Sequence, residues 1–209
     1  MGLRESQREH TIGLIVAAAA NVFGRAGYHG ASMEEVARTT GCATATLYGY
    51  FASKEELFTR VLEDLFGAYM AGVQAAIADS EGFDGGVHAY FDHFLAFAVP
   101  RRDFLRVMHA ALRSGSAGPQ PAGEQISALR AAYFQLLSPL VERAASQGLV
   151  PSGTDTAPLL TLLTSVLHGV SEGWLDGVVQ LDSGLAAARS LFLAGFPAAV
   201  GALAAGASS

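Results

Sequence analysis

Residues 32–54 read SMEEVARTTGCATATLYGYFASK, from Ser32 to Lys54, the pattern of two short helices joined by a tight turn. Ser32 followed by Glu35 is a capping box, in which the hydroxyl accepts from a first-turn N–H and the carboxylate reaches back to the cap's own N–H. A helix is therefore predicted to start at Met33. Gly41 can adopt the left-handed conformation that closes a helix without a Cβ clash, which places the end near Thr40. Leu47 and Phe51 lie four apart and face inward, so the run of residues 44–50 turns small or hydroxylated side chains outward. Ser53 with Glu56 repeats the capping box and opens a third helix at Lys54. Two helices joined by a short turn, the second exposing its first residues, define a helix-turn-helix.

Working outward, Ser6 with Glu9 offers a cap for an opening helix whose inward face is Ile12, Ile15, Val16, Ala19 and Phe23, at the spacing of an amphipathic helix. Gly27 is predicted to end it. Beyond Lys54, the pattern Leu57, Phe58, Val61, Leu62, Leu65 and Phe66 carries a long helix to about Ala78. The segment from Asp79 to Gly86 is polar and Gly-rich and reads as a loop.

The segment from about Ile12 to Leu62 resembles the DNA-binding domain of the tetracycline-repressor (TetR) family. The resemblance is carried by Gly41, Thr46, Leu47, Tyr48, Tyr50, Phe51, Ser53, Lys54, Glu55 and Leu57 at the family's spacing, preceded by Gly27-Tyr28 and Ser32. One departure is visible: Ala43 stands where the family usually has a serine that caps the recognition helix. Loss of such a cap costs about 1 kcal/mol, and Thr44 offers a hydroxyl one residue later. The resemblance implies that Thr44 and Ala45 face base edges, that Thr46, Tyr48, Tyr50 and Lys54 hold phosphates beside Gly49, and that Ser32 and the helix N-terminus at Lys54 add backbone N–H donors. It also implies a dimer that reads a palindromic double-stranded operator, and a pocket for a small hydrophobic effector.

Charge gives this reading little help. The 209 residues carry 13 Lys+Arg against 19 Asp+Glu, a net of −6. Residues 1–64 hold 6 against 8 (6 − 8 = −2), and the remainder 7 against 11 (7 − 11 = −4). No global basic field advertises nucleic acid, so binding rests on the placement of Arg4, Arg8, Arg25, Arg38 and Lys54. The single Cys42 excludes an internal disulfide and fits a reducing, cytoplasmic setting. No signal-peptide pattern opens the chain. The uncharged run from Ser190 to Ala207 is long enough to suggest a membrane span, but Pro197 and several glycines interrupt it; a helix buried against a partner is the reading adopted, with no membrane.

The rest reads as helices throughout. Residues 86–99 carry Val87, Tyr90, Phe91, Phe94, Leu95 and Ala98 and stop at Pro100. Residues 103–113 carry Phe104, Val107, Met108 and Leu112, and Ser114 to Gly123 is a flexible loop. A helix from Glu124 to Gln147 is predicted to bend at Pro139, and after a break from Gly148 to Asp155 two further helices follow, the last beginning near Ser183. The fold class is all-α: a three-helix domain with the helix-turn-helix at 1–53, a connecting helix at 54–78, and a helical ligand-binding and dimerisation domain at 79–209. Candidate pocket residues are Tyr90, Phe94, Met108, His109, Tyr133, His168 and Trp174. The dimer face is assigned to Leu163, Val166, Leu167, Val170, Leu191, Phe192, Phe196 and Val200, which would leave a large apolar patch on a single chain.

Other chemistry is weighed against these assignments. The string from Gly169 to Gly173 fits G-x-S-x-G around Ser171, but a nucleophile elbow needs a strand before it, and this string lies in a helical pattern. His88, Asp92 and His93 share a helix, though helical spacing points His93 away from the other two. No catalytic residue, metal site or cofactor is assigned, and no phosphate-loop, dinucleotide or zinc-finger spacing occurs. The reading is a ligand-responsive repressor that binds its operator as a dimer. A helical interaction protein without specific DNA binding, or an enzyme acting through Ser171, are the alternatives.

Overall fold

A computed structural model describes residues 2–103, 105, 106, 109 and 131–206. All regular elements among the described residues are helical: α1 (Leu3–Gly30), α2 (Met33–Thr40), α3 (Thr44–Tyr48), α4 (Lys54–Ala78), α5 (Gly82–Ala98), α6 (Ser138–Ser146), α7 (Ala157–Leu175) and α8 (Leu181–Gly206), with a short 3-10 turn at Val99–Arg101. Two compact units divide the chain: Met1–Gly67 with Arg101–Ala128, and Ala68–Pro100 with Leu129–Ser209. The first half of α4 supplies core to the first unit through Leu57, Phe58, Val61 and Leu62.

The first unit is built on one apolar cluster. Ile12, Ile15, Val16, Ala19, Val22 and Phe23 of α1 meet Met33, Val36 and Ala37 of α2, Leu47 and Phe51, and the start of α4. Phe23 packs edge-on to Phe58 with ring centroids 5.0 Å apart. α1 starts at Leu3, with Gly2 as its cap, four residues before a Ser6 cap would begin it at Gln7. Ser6 is instead bonded into the first turn through its N–H to the Gly2 carbonyl, at 3.1 Å. Gly27 breaks the α1 geometry as predicted, with φ 71° and ψ 170°, and the chain resumes helical geometry for one short turn.

In the second unit the predicted loop from Asp79 to Gly86 is shorter than its composition suggested, since α5 begins at Gly82. Tertiary contacts override the glycines here. Phe83 is buried and its N–H donates to Gln147 Oε1 at 3.0 Å. The Arg143 guanidinium donates to the carbonyls of Ile77 (2.7 Å), Ser80 (3.0 Å) and Gly82 (3.3 Å) and to Ser80 Oγ (2.9 Å). Of these, only Ile77 lies in the last turn of a helix, where carbonyls lack intrahelical partners, and it also accepts from Ser80 Oγ at 2.7 Å. The predicted long helix up to Gln147 is broken at Leu137, where residues 131–136 end and α6 starts with Pro139 in its first turn. Proline is accommodated there because its missing N–H has no helical acceptor in any case. α8 begins at Leu181, two residues before Ser183.

α7 and α8 pack closely, and glycine makes the approach possible. A Cβ on Gly173 would stand 2.9 Å from Val179 Cγ2, and one on Gly184 would stand 2.7 Å from Val179 Cγ1 and 2.8 Å from Val170 Cγ1. α8 also meets α5, with Phe83 and Phe196 centroids 4.3 Å apart and Arg189 donating to Asp92 at 2.9 Å. The expectation that all eight dimer-face residues lie open on one chain therefore fails for Leu163, Leu167, Phe196 and Val200, which are buried within the chain. Val166, Val170 and Phe192 are half-buried, and Leu191 is 72% exposed. Among the described residues, three helical stretches, Glu5–Gly30, Lys54–Ala78 and Leu181–Leu203, are by length and composition long and apolar enough to cross a membrane.

Candidate nucleic-acid interface

Local chemistry fixes α2, the turn and α3. Ser32 Oγ accepts from the Glu35 N–H at 3.2 Å, one half of the predicted capping box. The other half does not form: the Glu35 carboxylate turns to Arg25 (3.4 Å) and Arg38 (3.9 Å). Gly41 closes α2 at φ 72°, and the Cys42 N–H reaches back to the Ala37 carbonyl at 3.0 Å, the six-to-one bond of a Schellman ending. The Cys42 thiol lies 3.2 Å from Thr40 Oγ1 and is half-buried against the apolar cluster of the unit.

α3 is anchored by Leu47, which is completely buried. Around it Ala45, Thr46, Tyr48 and Gly49 are exposed, with Tyr48 at 49%, and Thr44 and Tyr50 are half-buried. The cap of α3 is Ala43, in extended geometry and without a side-chain bond. Thr44 is the first helical residue and does not take over the capping role. α4 opens at Lys54 as predicted, with the Glu56 N–H donating to Ser53 Oγ at 3.1 Å, but the Glu56 carboxylate accepts from the Ala52 N–H at 2.6 Å and not from the cap's own N–H.

The described cations from Arg8 to Arg60 are already engaged. Lys54 Nζ donates to the Ala31 carbonyl at 3.0 Å and sits 4.7 Å from the centroid of Tyr28, so it ties the start of α4 to the link before α2. Burial, and then the nearby Glu55 carboxylate, raise the Tyr28 phenol above its ordinary range. The Arg8 guanidinium lies 5.6 Å from the Tyr50 ring. Arg60 pairs with Asp64 at 2.7 Å and with Glu9 at 4.0 Å, and its hydrogen bond to Asp64 holds its guanidinium more firmly charged. The Arg4 side chain lies outside the described residues. An open groove on the unit is lined by Phe51, Ser53, Glu55, Glu56, Thr59, Arg60 and Glu63, three carboxylates against one guanidinium.

The candidate pocket residues divide between the units. In the second unit Tyr90 and Tyr133 join hydroxyl to hydroxyl, and Tyr133 also meets Tyr69 at 3.1 Å. Burial raises all three phenols well above their ordinary range. Phe94 packs edge-on to Tyr69 at 6.1 Å. Along the sequence Tyr69 is one aromatic among many; its partner lies 64 residues away, a separation that no local pattern encodes. His168 pairs with Glu172 on its own helix at 3.7 Å, and Trp174 is half-buried. His109 is buried and groups with the first unit, and Met108 lies outside the described residues. Ser171 is fully buried within α7, not on a strand-to-helix turn, and the glycine two residues after it serves the packing of Val179.

Residues 15–61 match the family described as bacterial regulatory proteins, tetR family, the same residues that build the buried α1–α4 cluster and the exposed face of α3. Over these residues the chain is similar to this family. Among curated relatives, the transcriptional activator FasR of Mycolicibacterium smegmatis is 34% identical over 89 residues, 41% of each chain. The transcriptional repressor NicS of Pseudomonas putida is 26% identical over 157 residues, 71% of this chain and 69% of NicS. The match to FasR thus spans less than half of that protein. The fatty acid degradation regulator FadR of Bacillus halodurans has the same fold, with a TM-score of 0.79 at 20% identity over 88% of this chain and 95% of its own. FadR of Bacillus subtilis, solved in complex with stearoyl-CoA, superposes with a TM-score of 0.77 at 17% identity, over 87% and 97% of the two chains.

Proposed function

We propose that the chain is a ligand-responsive regulator of transcription that binds a palindromic operator as a homodimer and acts as a repressor in the cytoplasm. The observation that carries this reading is α3: a buried Leu47 fixes a short helix whose Ala45, Thr46, Tyr48 and Gly49 face solvent. In a major groove, Thr44 and Ala45 present a hydroxyl and methyl groups to base edges. Thr46, Tyr48, Tyr50 and Lys54 hold the flanking phosphates, with the Ser32 hydroxyl, which accepts inside its own cap and keeps its proton to donate. Two such heads related by a two-fold axis read half-sites in successive major grooves. Leu191 and the neighbouring half-buried Val166, Val170 and Phe192 supply apolar area for the dimer.

The effector is a small hydrophobic molecule held in the second unit. A long-chain acyl thioester is the class to try first, since a protein of the same fold was solved with stearoyl-CoA. It releases DNA only through unequal affinity for the DNA-bound and free arrangements. The test is a footprint of the purified chain on the DNA upstream of its own gene, repeated with acyl-CoA thioesters of increasing chain length. A symmetric protected site that is lost on adding one of them supports the reading. Absence of specific duplex protection at low salt refutes it and favours a helical interaction protein.

A further inference from the structure

The first unit must grip a polyanion although residues 1–64 carry 6 cationic and 8 anionic side chains, a net of −2. Two of its arginines share one anionic partner. A single oxygen of Glu35, on the first turn of α2, lies 3.4 Å from Arg25 on α1 and 3.9 Å from Arg38 one turn along α2. The arginine side chains are 60% and 77% exposed, whereas that of Glu35 is 31% exposed. The carboxylate is thus the more deeply set of the three, and the guanidinium groups reach over it from two helices. A guanidinium fits a carboxylate and a phosphate with the same fork of donors. We propose that Glu35 is a built-in competitor for backbone phosphate: it occupies Arg25 and Arg38 in the free protein and so limits both the affinity for DNA and the number of counterions that binding releases. The inference rests on the DNA-binding reading above and assigns it a residue that tunes, rather than makes, the contact.

Glu35→Gln removes the charge and leaves the helix cap intact, because Ser32 is bonded to the Glu35 N–H and not to its side chain. Glu34→Gln is the matched control. Glu34 is exposed in the same turn, has no ion pair among the described residues, and its substitution changes the net charge by the same amount. Duplex binding is measured by fluorescence anisotropy across a salt series, on the upstream DNA and on an unrelated duplex. The expected result for Glu35→Gln is about three- to ten-fold tighter binding on both duplexes, the scale of a few exposed ion pairs. The plot of log affinity against log salt should steepen by about 0.9 for every additional phosphate that the freed arginines neutralise. Adding Arg38→Gln to Glu35→Gln should return part of that slope, and circular dichroism melts confirm that each variant is folded. Equal effects of Glu35→Gln and Glu34→Gln, or no change in slope, overturn the inference while leaving the DNA-binding reading in place. Failure of the unaltered chain to bind either duplex removes both.

Discussion

Ala43 is the weakest point of the α3 surface, and replacing it tests how that helix is held. Its φ and ψ, −71° and 145°, already have the geometry of a helix cap. Its carbonyl accepts from Thr46 N–H at 2.9 Å and Leu47 N–H at 3.1 Å, so only the side-chain acceptor is lacking. A serine there places a hydroxyl oxygen against the first-turn N–H groups without moving the backbone. The gain from such a cap is about 1 kcal/mol, which corresponds to roughly a five-fold change in an opening equilibrium. Native-state amide exchange reads this locally. In Ala43→Ser, the amides of Leu47, Tyr50 and Phe51 should exchange about five-fold more slowly than in the unaltered chain, and DNA affinity should rise because less ordering remains to be done on binding. Ala43→Val supplies a side chain with no acceptor and should give no protection. Equal protection in the two variants, or none in Ala43→Ser, would refute the idea that an uncapped end limits α3.

Arg143→Met should lower the stability of the second unit by about 2–3 kcal/mol, because it takes a charged donor from the Ile77, Ser80 and Gly82 carbonyls together. The fluorescence of Trp174, the one tryptophan, follows this in urea, and an unmoved midpoint would contradict it. Alkaline pH probes the tyrosine cluster. Tyr69, Tyr90 and Tyr133 have phenols raised by burial, so the unfolded chain loses those protons first. Stability should be whole below pH about 10 and fall above it as the unfolded tyrosines ionise. Phenolate absorbance should show these three rings ionising only together with unfolding, and early, separate ionisation would count against the buried hydroxyl cluster.

The parts legible in the sequence were those decided within a few residues. Ser32 and Ser53 cap their helices, Gly41 turns left-handed, Gly27 interrupts α1, and Leu47 points inward, since each outcome depends on neighbours one turn away. Where a distant residue decides, the local pattern misleads. The Gly-rich start of α5 reads as loop because the clasp of Gln147 and Arg143 lies more than 60 residues downstream. The apolar rows of α7 and α8 read as one open face because periodicity shows that a side is apolar, not which neighbour covers it. α5 covers part of it through Phe83. Glu35 likewise belongs to a capping pattern, and only the fold brings Arg25 close enough to draw its carboxylate elsewhere.

Val179 occupies notches left by the absent methyl groups of Gly173 and Gly184, whereas Val178 beside it is 81% exposed. The hairpin joining α7 to α8 is therefore keyed by count as well as by chemistry. Exchanges at 178 are free, but inserting or deleting one residue between 176 and 180 would swing the key out of its slot and leave the two helices separated by an empty seam.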